Sequence, residues 1–238
     1  MSKKGGTAKT TTAAALAVLL ARSGTPTHLV DMDAQASLTR AFGLEDETDG
    51  LYQSLTDRAG LPVRTVSQNL TLTPSTIELG RVETELLSET GREFFLRTSL
   101  EKTALPDETV VLLDCPPSLG VLSVNCFTAA GGMIAVIQPG GFELHALAHL
   151  HVTAQAIQER VNPDLHILGA VITNAHRRRK ITDQVRVEVS RVYPLLGTIR
   201  ADARLLYATT AGAIHRLSTS KALDDYAKVV EQLRPVLS

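Results

Sequence analysis

At 238 residues and 25.6 kDa the chain can bury a full core without disulfide or metal staples, and at roughly 150 residues per domain it reads as one large domain. Hydrophobic residues at 44% and charged residues at 21% exclude disordered, collagen-like and coiled-coil classes. A net charge of −1 and only two cysteines, Cys115 and Cys126, exclude a uniformly cationic nucleic-acid binder and a disulfide scaffold.

The charge is unevenly spread. Between Glu45 and Glu108 thirteen acidic residues face six basic ones, a balance of −7. Between Arg160 and Arg204 nine basic residues face four acidic ones, a balance of +5, so one stretch of a neutral chain is locally cationic.

In chain order, Lys4-Gly5-Gly6-Thr7-Ala8-Lys9-Thr10-Thr11 runs directly into an alanine-rich helix predicted over Thr10–Arg22. Glycines let successive backbone N–H groups turn toward one anion, and the helix N-terminus adds partial positive charge. Lys9 can reach outer phosphates and the Thr10 hydroxyl can ligate Mg²⁺. Ala8 stands where the strict G-x-x-x-x-G-K-[ST] pattern has its last glycine, so the segment alone also reads as a Gly-rich turn before an ordinary helix.

Buried strands are predicted at His28–Asp33, Asn69–Thr73, Thr109–Asp114, Met133–Gln138, Leu165–Thr173 and Leu195–Ile199. Several are continuous apolar runs, as in a parallel sheet covered on both faces. Helices are predicted between them at Thr76–Glu89, Arg92–Leu100, Val121–Ala130, Glu143–Arg160, Thr182–Val192 and Lys221–Leu233, with Pro235 closing the last. The alternation predicts a single α/β domain over residues 1–238, doubly wound and mostly parallel, with helices on both faces. Ligands in such folds sit at the carboxyl ends of strands. There the sequence places Asp31 and Asp33, Asp114, and Thr173-Asn174, although Asp is also a common turn and cap residue.

The phosphate-loop segment resembles that of the ParA/Soj/MinD family of deviant Walker ATPases, whose loop reads K-G-G-x-[GA]-K-T-T. LVDMDAQAS (Leu29–Ser37) resembles the family's switch I, VVLLDCPPSLG (Val110–Gly120) its Walker B strand and switch II, and LTLTPSTIEL (Leu70–Leu79) a further family segment, all in the family's order. The ParA/Soj branch is the nearer match. The resemblance implies a P-loop ATPase using ATP and Mg²⁺, with Gly5, Gly6, Thr7 and Ala8 of the loop around the phosphates. It makes Lys4 the lysine that reaches the partner's ATP in a nucleotide-sandwich homodimer, and Lys9 the neutraliser of the β- and γ-phosphates. Thr10 would sit on Mg²⁺ and Thr11 near the α-phosphate. Asp33 would orient the attacking water at the edge of the metal site, Asp114 would hold Mg²⁺ through water, and Asn174 would read the adenine.

The family carries a central strand immediately before the loop, whereas only Met1-Ser2-Lys3 precede Lys4 here. Five buried apolar residues at ~2 kcal/mol each make ~10 kcal/mol, comparable with a whole domain's stability of ~5–15 kcal/mol. The expectation is that the natural chain carries further amino-terminal residues or that another segment fills the gap. Gly141 to Leu147 and the Ile199-Arg200-Ala201 turn also depart from family patterns.

His176-Arg177-Arg178-Arg179-Lys180, with Arg186, Arg191, Arg200 and Arg204 beyond, reads either as a solvated loop or as a surface for phosphates. The resemblance implies ATP-dependent, nonspecific DNA binding, for which Arg177, Arg178, Arg179, Lys180, Arg186 and Arg204 are the candidates. His145 and His149 have i,i+4 spacing but lack a completing ligand, and ordinary helix surface is the reading. The cysteines read as structural thiols, and Ser118 lacks the setting of a nucleophile. The final helix has one apolar stripe (Leu223, Tyr226, Ala227, Val230, Leu233) and a face of mixed charge, which fits packing rather than a membrane surface.

The sequence thus predicts a cytoplasmic, nucleoid-associated partition ATPase stimulated by a ParB-like centromere-binding partner, with no membrane contact. A MinD-like positioning ATPase and a non-hydrolysing scaffold or repressor are the alternatives.

Overall fold

The structure, a computed structural model, describes residues 8–44, 50–139, 143–175 and 180–237, with 143–149 and 180 described by backbone alone. Ten helices, α1 (Lys9–Arg22), α2 (Ser37–Ala41), α3 (Leu51–Asp57), α4 (Val82–Glu85), α5 (Phe95–Glu101), α6 (Val121–Ala129), α7 (Glu143–Arg160), α8 (Lys180–Val192), α9 (Ala203–Thr210) and α10 (Lys221–Leu237), surround seven described strands. The strands are β1 (Thr27–Asp31), β2 (Arg64–Ser67), β3 (Leu70–Thr73), β4 (Val110–Asp114), β5 (Gly132–Ile137), β6 (His166–Ala175) and β7 (Leu195–Arg200).

They form two half-sheets. The first has the order β2-β3-β1-β4 and the second β5-β6-β7. Every pairing is parallel except β2 with β3. The doubly wound expectation holds, with one addition: the antiparallel edge strand β2, whose half-exposed RTVS sequence carries no buried run to announce it. Among the described residues no strand pairs with the free edges of β4 and β5.

β1 is buried at all five positions, including His28. That imidazole is bracketed by the Thr71 and Thr73 hydroxyls at 2.8 and 3.0 Å, and burial pushes its pKa down to about 4. α1 is an alanine-rich helix with eight buried residues, a composition that loses little side-chain entropy and permits close approach to a sheet. Its inner face joins α10 and β1 in one apolar cluster, while α6 and α5 build a second cluster on the opposite face.

Two expectations need correction. Residues 76–89 form no continuous helix: a 3₁₀ turn at Ile77–Arg81, the single turn α4 and a second 3₁₀ turn at Leu86–Ser88 replace it. Gly80 and the β-branched Val82 and Thr84 lie inside the segment and each lowers helix propensity. Pro235 does not end the last helix, because α10 runs on to Leu237. Pro235 is exposed, so water can take the carbonyl freed by its missing N–H. α2, α3 and α9, each of eight residues or fewer, were too short to show a helical period in the sequence.

Candidate functional site

The rim formed by the carboxyl ends of β1 and β4 gathers most of the chemistry. Asp31 and Asp114 close these strands as register partners. α1 begins beside them, with the Thr10 hydroxyl and the Lys9 charge close enough to the Asp114 carboxylate to act on its ionisation. Ala8 caps α1 in the left-handed region at φ 60°, and its carbonyl accepts from Thr12 N at 2.8 Å. An L-residue there costs about 1 kcal/mol relative to glycine, so the backbone adopts the glycine geometry of a phosphate loop although the sequence offers alanine. No side chain caps this helix end and no acidic residue stands in its first turn, which leaves its N–H groups and partial positive charge directed at an anion.

Asp114 is 2% exposed and its Oδ2 has no hydrogen-bond partner. Burial raises its pKa to about 7, the Asp31 charge adds to the rise, and Thr10 and Lys9 oppose it. Asp31 is fully buried and its pKa rises to about 6 through burial, held back by three hydrogen bonds. Two adjacent carboxylates with raised pKa values, one with an unsatisfied oxygen, form a place suited to a hard cation with oxygen ligands. An uncapped helix end lies beside it for the anion. The residues therefore fit Mg²⁺ and a phosphate chain together.

The loop after β1 carries Asp33 half-buried at this rim, where its charge also raises the Asp114 pKa. Asp33 Oδ1 accepts from Gln35 N at 2.9 Å and its carbonyl from Ala36 N at 2.8 Å, a turn that leads into α2. Asp31 holds the loop from beneath. Its Oδ1 accepts from Asp33 N at 3.2 Å, and its Oδ2 accepts from Thr39 N and Thr39 Oγ1 at 2.8 and 2.7 Å. Thr39 Oγ1 in turn accepts from Ser75 N at 2.9 Å, which ties the end of β3 into the network. Sequence reasoning placed Asp31 at a strand end but gave it no role, and it missed Thr39 and Ser75. No short motif marks these residues, because the contacts join segments 36 positions apart.

The segment after Asp114 is pinned from its far side. Glu83 of α4 accepts from Val121 N at 2.9 Å and Leu122 N at 3.3 Å, capping α6 from another element. A Cβ on Gly120 would collide with that carboxylate. Ser123 donates to the Ser118 carbonyl and closes the turn.

The other candidates lie elsewhere or outside the described residues. Lys4, Gly5, Gly6 and Thr7, and Arg177, Arg178 and Arg179, lie outside the described residues, as does the side chain of Lys180. Asn174 is exposed near the end of β6 at φ 51°, on the second half-sheet. Arg186 and Arg204 are exposed. Arg200 is engaged in the fold: its guanidinium makes a two-pronged contact of 2.8 Å each with Asp225 and donates to Lys221 O at 3.0 Å. Arg191 pairs with Glu188 at 2.7 Å.

His151 shares a 2.7 Å hydrogen bond with Tyr193. Among the described residues no His, Cys, Asp or Glu cluster of metal-binding size occurs, and both cysteines are free thiols. No helix among them is long and apolar enough to cross a membrane.

Comparison with known proteins agrees with this geometry. Residues 1–167 match the AAA domain family AAA_31. The chain is 34% identical over 197 residues to the sporulation initiation inhibitor protein Soj of Bacillus subtilis, covering 81% of this chain and 78% of that protein. It is 36% identical over 194 residues to the chromosome partitioning protein ParA of Caulobacter vibrioides NA1000, covering 79% and 73%. Among solved structures, a Mycobacterium smegmatis cobyrinic acid a,c-diamide synthase with bound ADP and magnesium superposes with a TM-score of 0.79 at 30% identity, covering 97% of this chain and 90% of that one.

Proposed function

The chain belongs to the ParA/Soj branch of the AAA-domain ATPases, and from that premise we propose that it is an ATP- and Mg²⁺-dependent partition switch that binds DNA as a nucleotide-sandwich dimer. The observation that carries the reading is the start of α1 beside the Asp31–Asp114 pair, with Lys9 and Thr10 close enough to act on the Asp114 carboxylate.

In this reading the first turn of α1 holds the phosphates through its N–H groups, and Lys9 neutralises the outer ones. Thr10 and Asp114 hold the metal, which supplies neutralisation of the charge that builds on the phosphate oxygens in transfer. Asp33 orients the attacking water, while Asp31 fixes the turn that carries it. Lys4 of a partner completes the pocket in trans, so that hydrolysis depends on dimerisation. A trans-acting cation of this kind is worth ~10³–10⁵ in rate where measured.

The DNA surface in this reading comprises Arg177, Arg178, Arg179, Lys180, Arg186 and Arg204, doubled by the dimer. A ParB-like protein bound to the centromere stimulates hydrolysis, and the protein works on the nucleoid in the cytoplasm. The apolar residues of α10 speak against a membrane role, since Leu223, Tyr226, Val230 and Leu233 are buried and Tyr226 shares a 2.8 Å hydrogen bond with Thr12 of α1.

The test is binding to a DNA fragment of arbitrary sequence with ATP, ADP or no nucleotide, across a salt series. Binding is expected only with ATP and should weaken steeply with salt. Replacing Arg186 and Arg204 by Ala should weaken it equally on all sequences. Nucleotide-independent or salt-insensitive binding would overturn the reading.

A further inference from the structure

The segment from Ser75 to Leu86 touches both loops that frame the phosphate site. It consists of the 3₁₀ turn at Ile77–Arg81, the four-residue α4 and the start of a second 3₁₀ turn. Pieces this short have no helical stability of their own, so their position is set by what they touch. Leu79 and Val82 are fully buried in one apolar cluster. The same cluster takes Met32, at the root of the loop after β1, and Val121 and Leu122, at the start of α6.

On one side the segment holds the loop after β1. The Ser75 N–H donates to Thr39 Oγ1 at 2.9 Å, and a Cβ on Gly80 would stand 3.6 Å from the Ala34 Cβ, in van der Waals contact. On the other side it holds the loop after β4, because the Glu83 carboxylate accepts from Val121 N at 2.9 Å and Leu122 N at 3.3 Å. The near ends of the two loops are joined directly, since Met32 N donates to the Asp114 carbonyl at 3.0 Å. Their far ends are joined through this segment.

The origin of the α6 cap points to coupling. Gly120 is the N-cap residue and offers no side chain, although Ser, Thr, Asp or Asn there would cap the helix locally. The capping carboxylate comes instead from 38 positions before Val121, and a side chain at position 120 would collide with it. A local cap would stabilise α6 without linking anything, whereas a distant one ties two segments together. Glu85, on the same turn, faces elsewhere. It is exposed and accepts from Tyr52 at 2.6 Å and Arg81 at 2.8 Å, surface contacts of a kind that contribute little.

We propose, given the phosphate site described above, that Glu83 is a positioning residue for ATP hydrolysis. It anchors the turn after Asp114 to the same short segment that steadies the loop carrying Asp33, and so fixes the separation of the two loops. Turnover needs that separation, because a reacting group displaced by about 1 Å can cost ~10²-fold in rate. Nucleotide binding needs it less, because the phosphate-holding helix α1 is packed on β1, β4 and α10.

The experiment compares Glu83→Ala, Glu83→Gln and Glu85→Ala with the native chain. Amide exchange is read without nucleotide, and magnesium-ATP affinity and hydrolysis are read separately. Glu83→Ala is expected to speed exchange at Val121 and Leu122 by about 10-fold. It should also speed exchange by at least ~3-fold at Asp33, Ala36 and Thr39 across the segment. Turnover should fall ~10-fold while affinity changes less than ~3-fold. Glu83→Gln keeps the length and one accepting oxygen and should stay within ~3-fold of native turnover; it also serves if the Ala form does not fold, with the same exchange changes at smaller amplitude. Glu85→Ala should leave turnover unchanged. Exchange changes confined to 121–122, an affinity loss equal to the rate loss, or an equal fall in Glu85→Ala would overturn the proposal. A native chain that neither binds nor hydrolyses ATP would overturn the phosphate-site reading instead, and exchange at 33–39 would still decide the coupling.

Discussion

Asp114 shows how a single side chain is tuned for a cation by the fold around it. Its carboxyl ionises at about 7 instead of 3.8, first because it is buried and next because Asp31 stands beside it. A carboxyl with a raised pKa keeps its proton in the folded chain after the unfolded chain has lost it, so stability falls as pH rises from about 4 to about 7. Replacing Asp114 by Asn removes that penalty. Asp114→Asn should therefore make the metal-free protein more stable at pH 8 by roughly 2–4 kcal/mol and leave it unchanged at pH 4. Urea unfolding in the presence of a chelator checks this, and an Asn variant less stable at pH 8 would contradict it. The same variant should lose magnesium-dependent nucleotide binding. His28 has the opposite sign: neutral in the fold down to about pH 4, it destabilises the protein as pH falls below 6.5. The two effects overlap, which is why the Asn variant is needed to separate them.

At the scale of elements, the loop after β1 is positioned by a network that crosses three of them. Asp31 of β1, Thr39 of α2 and the Ser75 amide after β3 form one chain of hydrogen bonds beneath Asp33. Thr39 reaches the site through the Asp31 carboxylate, which it holds beneath the loop, so its contribution to rate runs through the position of that carboxylate and of the loop above it. Thr39→Val keeps the shape, removes the hydroxyl, and leaves the Ser75 N–H and one Asp31 contact unmet. It should destabilise the protein by about 1–3 kcal/mol. Turnover should fall ~10-fold or more while nucleotide affinity changes less than ~3-fold. Equilibrium binding and steady-state hydrolysis measured side by side decide it; an affinity loss matching the rate loss would place Thr39 among the binding groups instead. Glu83 of α4 does the same for the opposite wall by capping α6, and charge at a helix N-terminus stabilises that end.

For the whole molecule the question is whether one chain holds a complete site. The proposed trans role of Lys4 makes a specific demand on mixtures. A Lys4→Ala chain and an Asp33→Ala chain, each inactive alone, should regain about a quarter of native hydrolysis when mixed in equal amounts before ATP is added. Half of the dimers are then mixed, and each of these has one pocket with both groups. A lysine acting within its own chain gives no recovery. Concentration dependence of the specific activity of the native chain is the companion measurement, and a rate per chain that is flat with concentration would count against a dimeric site.

Much of this was legible in the sequence because its signals are local. The phosphate-loop spacing from Lys4 to Thr11, the acidic strand ends at Asp31 and Asp114, and the continuous apolar runs of β1, β4 and β6 each lie within a dozen residues, and hydrophobic burial forces such runs into a covered parallel sheet. Tertiary structure alone decided what distant segments do to one another. It engaged Arg200 with Asp225, set Glu83 against α6, placed Asp31 under Thr39, and raised two carboxyl pKa values, because desolvation and hydrogen bonding depend on which atoms fold together.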